Sequence, residues 1–360
     1  MTAITEFQVR KDKLDETRLV ERTASELQDG DVLAKVDRFA ITANNITYGV
    51  VGERIGYWKF FPVEDEGWGV IPVWGFADIV ESRHPDIQPG ERLYGYWPMA
   101  SHLVMTPGKI KQERLADAAP HRAELPPVYN NYQRVNNEPG YDGEMDDDRM
   151  VLFPLYATSF CLYDFLKDND WFGAAQVIIP SASSKTAIGT AYAIKGDEAP
   201  PSLIGLTSPR NRQAVEALAL YDTVFTYDEL ENIDAGRPAV IIDMSGNGDV
   251  LGRLHKHLGD NMKYTSNVGL THFDANEMGP DFIRERSAMF FAPGHIQKRT
   301  QDWGPGEFEK RASAFWHKAA LKSRDWLNIQ KETGEDAVSR AYEDVLNGKT
   351  PANGAWVVGF

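Results

Sequence analysis

The chain is 360 residues long, past the size that one hydrophobic core ordinarily serves, so two domains or two lobes are expected. Hydrophobic residues make up 42% and charged residues 25%, the balance of a globular protein, with no stretch apolar enough for a membrane span. Acidic residues outnumber basic ones 53 to 38, and the net charge of −15 argues against nucleic acid and membrane surfaces as partners. The single cysteine, Cys161, excludes internal disulfides and a thiolate zinc cluster. The first residues, MTAITEFQVRKDKLDE, are polar and lack the apolar core of a secretory signal, so a cytoplasmic location is expected.

Residues 1–110 read as β-rich. Asp31–Val36, Gly75–Ser82 and His102–Met105 alternate polar and apolar positions, and Pro89-Gly90-Glu91-Arg92 is a turn leading into Leu93-Tyr94-Gly95-Tyr96. Residues 111–150 break the pattern with Pro126-Pro127, paired asparagines and an acidic cluster from Glu144 to Asp148. This stretch is expected to be a long loop, either covering a site or making a flexible excursion.

From residue 151 strands and helices alternate. Leu155–Leu166 reads as a helix, Val177–Pro180 as a strand, Ala187–Ile194 as a helix and Leu203–Leu206 as a strand. A helix over Asn211–Leu220 follows, then strands at Val224–Thr226 and Ala239–Met244, a helix over Val250–Leu258 and a strand at Met262–Val268. Continuous apolar strands alternating with helices at this spacing predict an α/β fold with a doubly wound parallel sheet. Residues 307–328 have helical character. A last helix carries Ala337, Val338, Ala341, Tyr342 and Val345 on one face, and Ala355–Val358 closes the chain as a strand.

In a parallel sheet, the turn after the first strand is where helix N–H groups and the helix dipole attract anions. Here the usual glycines are missing, and Ser181-Ala182-Ser183-Ser184-Lys185-Thr186 stand in their place. Small side chains let a pyrophosphate approach the backbone, the hydroxyls donate, and Lys185 adds a cation. The same serines also suit ordinary helix capping. The second strand ends Thr207-Ser208-Pro209-Arg210-Asn211, without the acidic residue that receives the ribose hydroxyls of NAD. Hydroxyls and an arginine fork suit a 2′-phosphate, so NADP (NADPH) is the expected cofactor, against the plainer reading of a capped helix with a surface arginine. Ser245-Gly246 and Asn267-Val268-Gly269, at two further strand ends, are candidates for the nicotinamide half or for simple turns.

This order of motifs resembles the medium-chain dehydrogenase/reductase superfamily, in particular its zinc-free quinone-oxidoreductase-like branch, and within it the DUF2855 family. The resemblance rests on Asp31–Val36 with Ile41–Tyr48, on Gly75–Ser82 with Pro89–Gly95 and Pro98–His102, and on Glu335–Gly348 followed by Gly354–Val358. It implies a GroES-like β-rich substrate domain from residues 1–151 and 294–360, and a Rossmann-type NADP-binding domain over 152–293. Thr158 sits where the family places a threonine before its cofactor domain. Lys185 replaces a family glycine, and the 111–150 stretch is longer than the family norm. The catalytic cysteine, the Gly-His-Glu motif and the four-cysteine lobe of the zinc branches are missing, which implies zinc-independent chemistry with no metal.

By the same resemblance the segment after Ile41 faces the nicotinamide. Tyr48 is then the candidate acid or hydrogen-bond donor, with Asn44 and Asn45 orienting a carbonyl. Consecutive asparagines also mark turns, and Tyr48 also suits plain packing. Tyr57, Trp58 and Phe60 fall where the family lines its substrate pocket, which suits an apolar or aromatic small molecule. His102, His272 and His295 lack metal-ligand spacing and read as structural or surface residues, as do His255 and His257. The implied activity is hydride transfer to or from a carbonyl-conjugated or aromatic molecule. A redox-neutral lyase, isomerase or dehydratase on the same fold, and a non-catalytic NADPH sensor, fit the same residues. A homodimer through an apolar edge strand near Ala288–Phe291 is expected.

Overall fold

The computed structural model describes residues 2–269 and 279–360, so His272 lies outside the described residues. The chain forms two compact units, Met1–Val151 with Leu327–Phe360, and Leu152–Trp326. Among the described residues no helix is long and apolar enough to cross a membrane.

The first unit begins with the hairpin β1 (Ala3–Arg10) and β2 (Thr17–Thr23), followed by β3 (Val32–Ile41). Two short helices follow, α1 (Ala43–Val50) and α2 (Gly52–Ile55), then β4 (Trp68–Gly69) and the long β5 (Pro72–Ser82). β6 (Arg92–Pro98) runs antiparallel to β5 and is buried almost throughout, while β7 (His102–Met105) pairs with β3. The helix α1 occupies residues that the resemblance reads as a strand turn. Thr42 and Asn45 form a reciprocal capping box there, which starts a helix directly after β3.

The stretch 111–150 is neither a bare loop nor an excursion. β8 (Pro107–Gly108) and β9 (Arg114–Asp117) lead to β10 (Asn131–Arg134), which pairs antiparallel with both β9 and β6. Gly95 permits this join, because a Cβ there would lie 2.3 Å from the Tyr132 ring. The acidic cluster opens a helix: Asp146, Asp147 and Asp148 form the first turn of α3 (Asp146–Asp168), where carboxylates meet the positive end of the helix dipole.

The second unit carries β11 (Gln176–Pro180), α4 (Lys185–Lys195), β12 (Ser202–Thr207), α5 (Arg212–Ala217) and β13 (Thr223–Thr226). It continues through β14 (Ala239–Asp243), α6 (Gly248–Leu258), β15 (Met262–Asn267) and β16 (Ser287–Met289). All are parallel, in the order β13-β12-β11-β14-β15-β16, the 3-2-1-4-5-6 order of dinucleotide-binding sheets. Alternate residues of β11 serve opposite faces. Val177 and Ile179 pack with Leu162 of α3 and Ile188 of α4, while Ile178 packs with Leu251 and Leu254 of α6.

Two helices, α7 (Ala292–Trp303) and α8 (Glu307–Ser323), complete this unit. The domain division expected from sequence assigns residues 294–326 to the β-rich part, whereas they cluster with the parallel sheet. The reason is their binding to α3: Asp164 accepts bonds from Arg299 and pairs with His295, while Phe308 and Ala312 pack on Cys161. The chain then returns to the first unit as β17 (Asn328–Thr333), α9 (Glu335–Leu346) and β18 (Gly354–Gly359). The main sheet there has the order β17-β18-β3-β5-β6-β10-β9-β8.

Candidate functional site

In the second unit the C-terminal ends of the parallel strands form one edge, and the order of the sheet reverses between β11 and β14. Ligands of doubly wound sheets bind at such a reversal. Ser181 turns the chain out of β11 at φ 60°, a left-handed conformation that side chains disfavour. Two tyrosines hold it: the Ser181 N–H donates to Tyr227 Oη at 3.1 Å, and Tyr221 donates to the Ala182 carbonyl at 3.0 Å. Ser184 caps α4 by accepting from the Ala187 N–H, and Ser183 Oγ accepts from Asn211 Nδ2 at 3.1 Å. Lys185 begins α4, half-buried, and burial pushes its ammonium down to about 8. Thr186 contributes its carbonyl to Ser159 Oγ at 2.8 Å. The threonine expected to serve the site, Thr158, spends its hydroxyl on the Pro154 carbonyl within α3, so its neighbour Ser159 is the residue that ties α3 to this turn. Gly189 allows that approach, since a Cβ would meet Tyr156 at 2.5 Å.

At the end of β12, Thr207 Oγ1 and Ser208 Oγ are buried without a hydrogen-bond partner. Arg210 beside them is exposed and has no carboxylate partner among the described residues, and Asn211 links this turn to Ser183. Buried hydroxyls left unpaired cost stability, about 1–3 kcal/mol each, unless an ordered water or a ligand completes the bonding. The same condition recurs at the end of β15, where Ser266 Oγ and Asn267 Oδ1 are unpaired. Ser245 is bonded twice to the Asp243 carboxylate, which burial raises above the usual range, and Gly246 turns at φ 62°. Gly269 sits so close to this turn that a Cβ would lie 2.7 Å from the Gly246 nitrogen. The turns after β14 and β15 therefore lie against each other. Sequence reasoning missed Tyr221, Tyr227, Ser159 and Ser266. Tyr227 alone carried a signal, directly after β13.

The β-rich unit brings together the other predicted residues. Tyr48 is buried on α1, and its hydroxyl oxygen accepts from Asn44 Nδ2 at 2.7 Å and from Trp74 Nε1 at 3.2 Å. Burial and the neighbouring Tyr57 raise its ionisation far above that of a free phenol, so it stays protonated. Asn45 is fully engaged in structure, accepting from the Thr42 N–H and donating to the Pro72 carbonyl. It caps α1 and ties that helix to β5. Tyr57 and Phe60 join an aromatic box with Tyr48, Trp74, Tyr96 and Tyr129. Trp58 does not. Its indole lies flat on Gly52 and Gly69, where Cβ atoms would come within 2.2 and 2.5 Å, and it serves packing.

Cys161 is buried in α3 and its thiol is raised by burial, with the nearby Asp164 adding to the shift. Among the described residues no three His, Cys, Asp or Glu side chains converge as a metal site. His255 and His295 are bonded within the fold, to Thr265 and Asp164.

Among curated proteins none matches the sequence. Solved structures share the fold. CurA from Vibrio vulnificus superposes with a TM-score of 0.62 at 12% identity, covering 99% of this chain and 98% of its own. The quinone oxidoreductase from Coxiella burnetii gives 0.58 at 13% identity with both chains fully covered. A mutant form of enoyl thioester reductase from Candida tropicalis gives 0.59 at 10% identity, again over both full chains. The likeness extends over essentially the full length of each chain and is one of fold. The pattern of one protein family of unknown function, DUF2855, matches residues 39–351, which spans the greater part of both units, and the chain therefore belongs to the DUF2855 family.

Proposed function

We propose that the chain is an NADP(H)-dependent, zinc-independent oxidoreductase acting on a carbonyl-conjugated or aromatic small molecule. One observation carries the cofactor assignment: at the end of β12, buried unpaired Thr207 and Ser208 hydroxyls stand beside exposed Arg210, where an NAD site has a carboxylate. These three suit a 2′-phosphate, with Asn211 fixing their turn against the β11 turn. Ser181, Ser183, Ser184, Lys185 and Thr186 would hold the pyrophosphate, and Ser245, Gly246, Asn267 and Gly269 the nicotinamide half. The unpaired Asn267 Oδ1 suits an amide donor. The solved CurA was also captured with NADPH.

When bound, NADPH supplies the hydride. The chain must position the acceptor and hold a proton for it. Tyr48 Oη already accepts two hydrogen bonds, so its own proton is the one left to give, and Asn44 and Trp74 fix its direction. The phenol stays protonated at any ordinary pH, as a donor to a developing oxyanion must. Zinc independence is supported by the lone cysteine, which is buried. A homodimer through β16 is part of the same proposal, because Met289 and Phe291 are exposed at that edge.

The test is absorbance at 340 nm with NADPH and a panel of quinones, enones and aryl ketones. The proposal predicts substrate-dependent loss of absorbance, and a fall in kcat of about a hundredfold in Tyr48→Phe. Product formation at constant absorbance would show a redox-neutral enzyme instead.

A further inference from the structure

In the β-rich unit one side chain is packed as a ligand would be. Tyr129 ends the short turn Pro127–Tyr129, and its ring lies 4.7 Å from Tyr96, 5.6 Å from both Tyr57 and Phe60, and 6.2 Å from Trp74. Tyr48 completes the enclosure, 4.5 Å from Tyr57 and 5.6 Å from Tyr96. The Tyr129 hydroxyl meets Tyr57 Oη at 3.1 Å.

The hydroxyls of this box have more protons to give than acceptors to take them. Tyr48 Oη accepts twice and donates to no described residue, the Tyr57 and Tyr129 hydroxyls share one bond, and Tyr96 Oη is buried with no partner. The nearest guanidinium, Arg122, lies over Phe61 and Phe60 and is paired with Asp117 at 3.3 Å, so it is not available to neutralise an anion. An enclosure of aromatic faces with surplus donors and no free cation favours a neutral ring that carries an acceptor oxygen.

We propose that Tyr129 is a displaceable plug, and that the box it fills binds a neutral aromatic or quinoid ring bearing an oxygen. The Tyr129 ring marks the size of that ligand and its hydroxyl the place of the oxygen. The inference rests on the reading that the β-rich unit receives the substrate. The ring side of the turn is lightly held. Pro126 and Pro127 lack N–H groups, and the Tyr129 and Asn130 amides make only the local bonds to Pro126 and Pro127, while the base is anchored by the Asp117 N–H donating to the Asn130 carbonyl and by the Asn130 side chain donating to the Arg122 carbonyl. Its flanks are fixed, by the buried Arg122–Asp117 pair on one side and by β10 in the sheet on the other. An open groove of about 630 Å³, lined in part by Lys59, His121, Leu125 and Pro126, borders the turn.

The experiment is calorimetric titration of the full chain with p-cresol, the side chain of tyrosine as a free molecule, and with toluene, which has its shape without the oxygen. Removing the plug in Tyr129→Ala should tighten p-cresol and toluene alike, each at least about tenfold, because the wild-type box is occupied most of the time, and p-cresol should bind more tightly than toluene in both proteins. A p-cresol affinity unchanged by the substitution overturns the proposal, as does toluene binding as tightly as p-cresol. Hydrogen exchange on the wild-type chain reads the same event without a variant: saturating p-cresol should speed exchange at the Tyr129 and Asn130 amides, and unchanged or slower exchange there overturns it. NADPH affinity measured on the same samples separates the two readings. NADPH binding with no p-cresol effect removes the plug alone, whereas a p-cresol effect with no NADPH binding removes the oxidoreductase alone.

Discussion

Ser181 occupies a left-handed backbone position that costs an L-residue with a side chain about 1 kcal/mol or more, and a glycine would occupy it freely. Tyr227 and Tyr221 offset that cost through one bond each to the turn. Four residues on, Lys185 brings a cation to the start of α4, and burial holds its ammonium down at about 8. The charged form binds phosphate, so NADPH affinity should be level below neutral pH and weaken as pH rises through 8 and the lysine loses its proton. Lys185→Met should weaken NADPH by about tenfold at pH 7 and flatten that dependence. Fluorescence titration of NADPH from pH 6.5 to 9.5 checks this, and identical pH curves for the two proteins would remove Lys185 from the site. Asn45 gives a different lesson: three residues before the candidate acid, it has a structural role, capping α1 and bonding the Pro72 carbonyl.

Between α6 and β15 the buried His255 bridges three segments. Its Nδ1 accepts from the Ile283 N–H, which fixes the proton on Nε2, donated to Thr265 Oγ1, and its ring stacks on Phe282. Burial, with Arg286 nearby, pushes its pKa down to about 4 from the usual 6.5. A base with a lowered folded pKa contributes stability that is complete above 6.5 and is lost as pH falls towards 4, because the unfolded chain takes up the proton first. The contribution is at most about 3 kcal/mol. Urea unfolding at pH 7 and pH 4.5 should show a larger loss for the wild type than for His255→Phe, and parallel losses would contradict this account. Other elements escaped the sequence for identifiable reasons. β10 is a short, polar strand whose place depends on Gly95 across the sheet, and β17 is exposed at an edge, so neither carries an apolar alternation. The start of α3 was hidden by its aspartates and by Pro154, which read as loop and breaker.

Taken as a whole, the molecule follows its hydrophobic pattern. The central parallel strands β11, β12 and β14 were legible because each is built on a continuous apolar run, and the order of the sheet follows from right-handed crossovers. The turns at the strand ends were legible too, since strand ends and helix starts are local features. What was not legible depends on distance in sequence: the Tyr221 and Tyr227 brace, the aromatic box closed by Tyr129, and the joining of α7 through Asp164 and of α8 through Cys161 to the parallel-sheet unit. Each joins residues tens of positions apart, and one chain read linearly contains no record of them. The central claim remains the dinucleotide site built on β11 and β12. Calorimetric titration of NADPH and NADH into the wild type and Arg210→Ala tests it directly. The account predicts NADPH bound at least about tenfold more tightly than NADH, with most of that preference lost in the variant and NADH unaffected. Equal affinities for the two cofactors, untouched by the substitution, would contradict it.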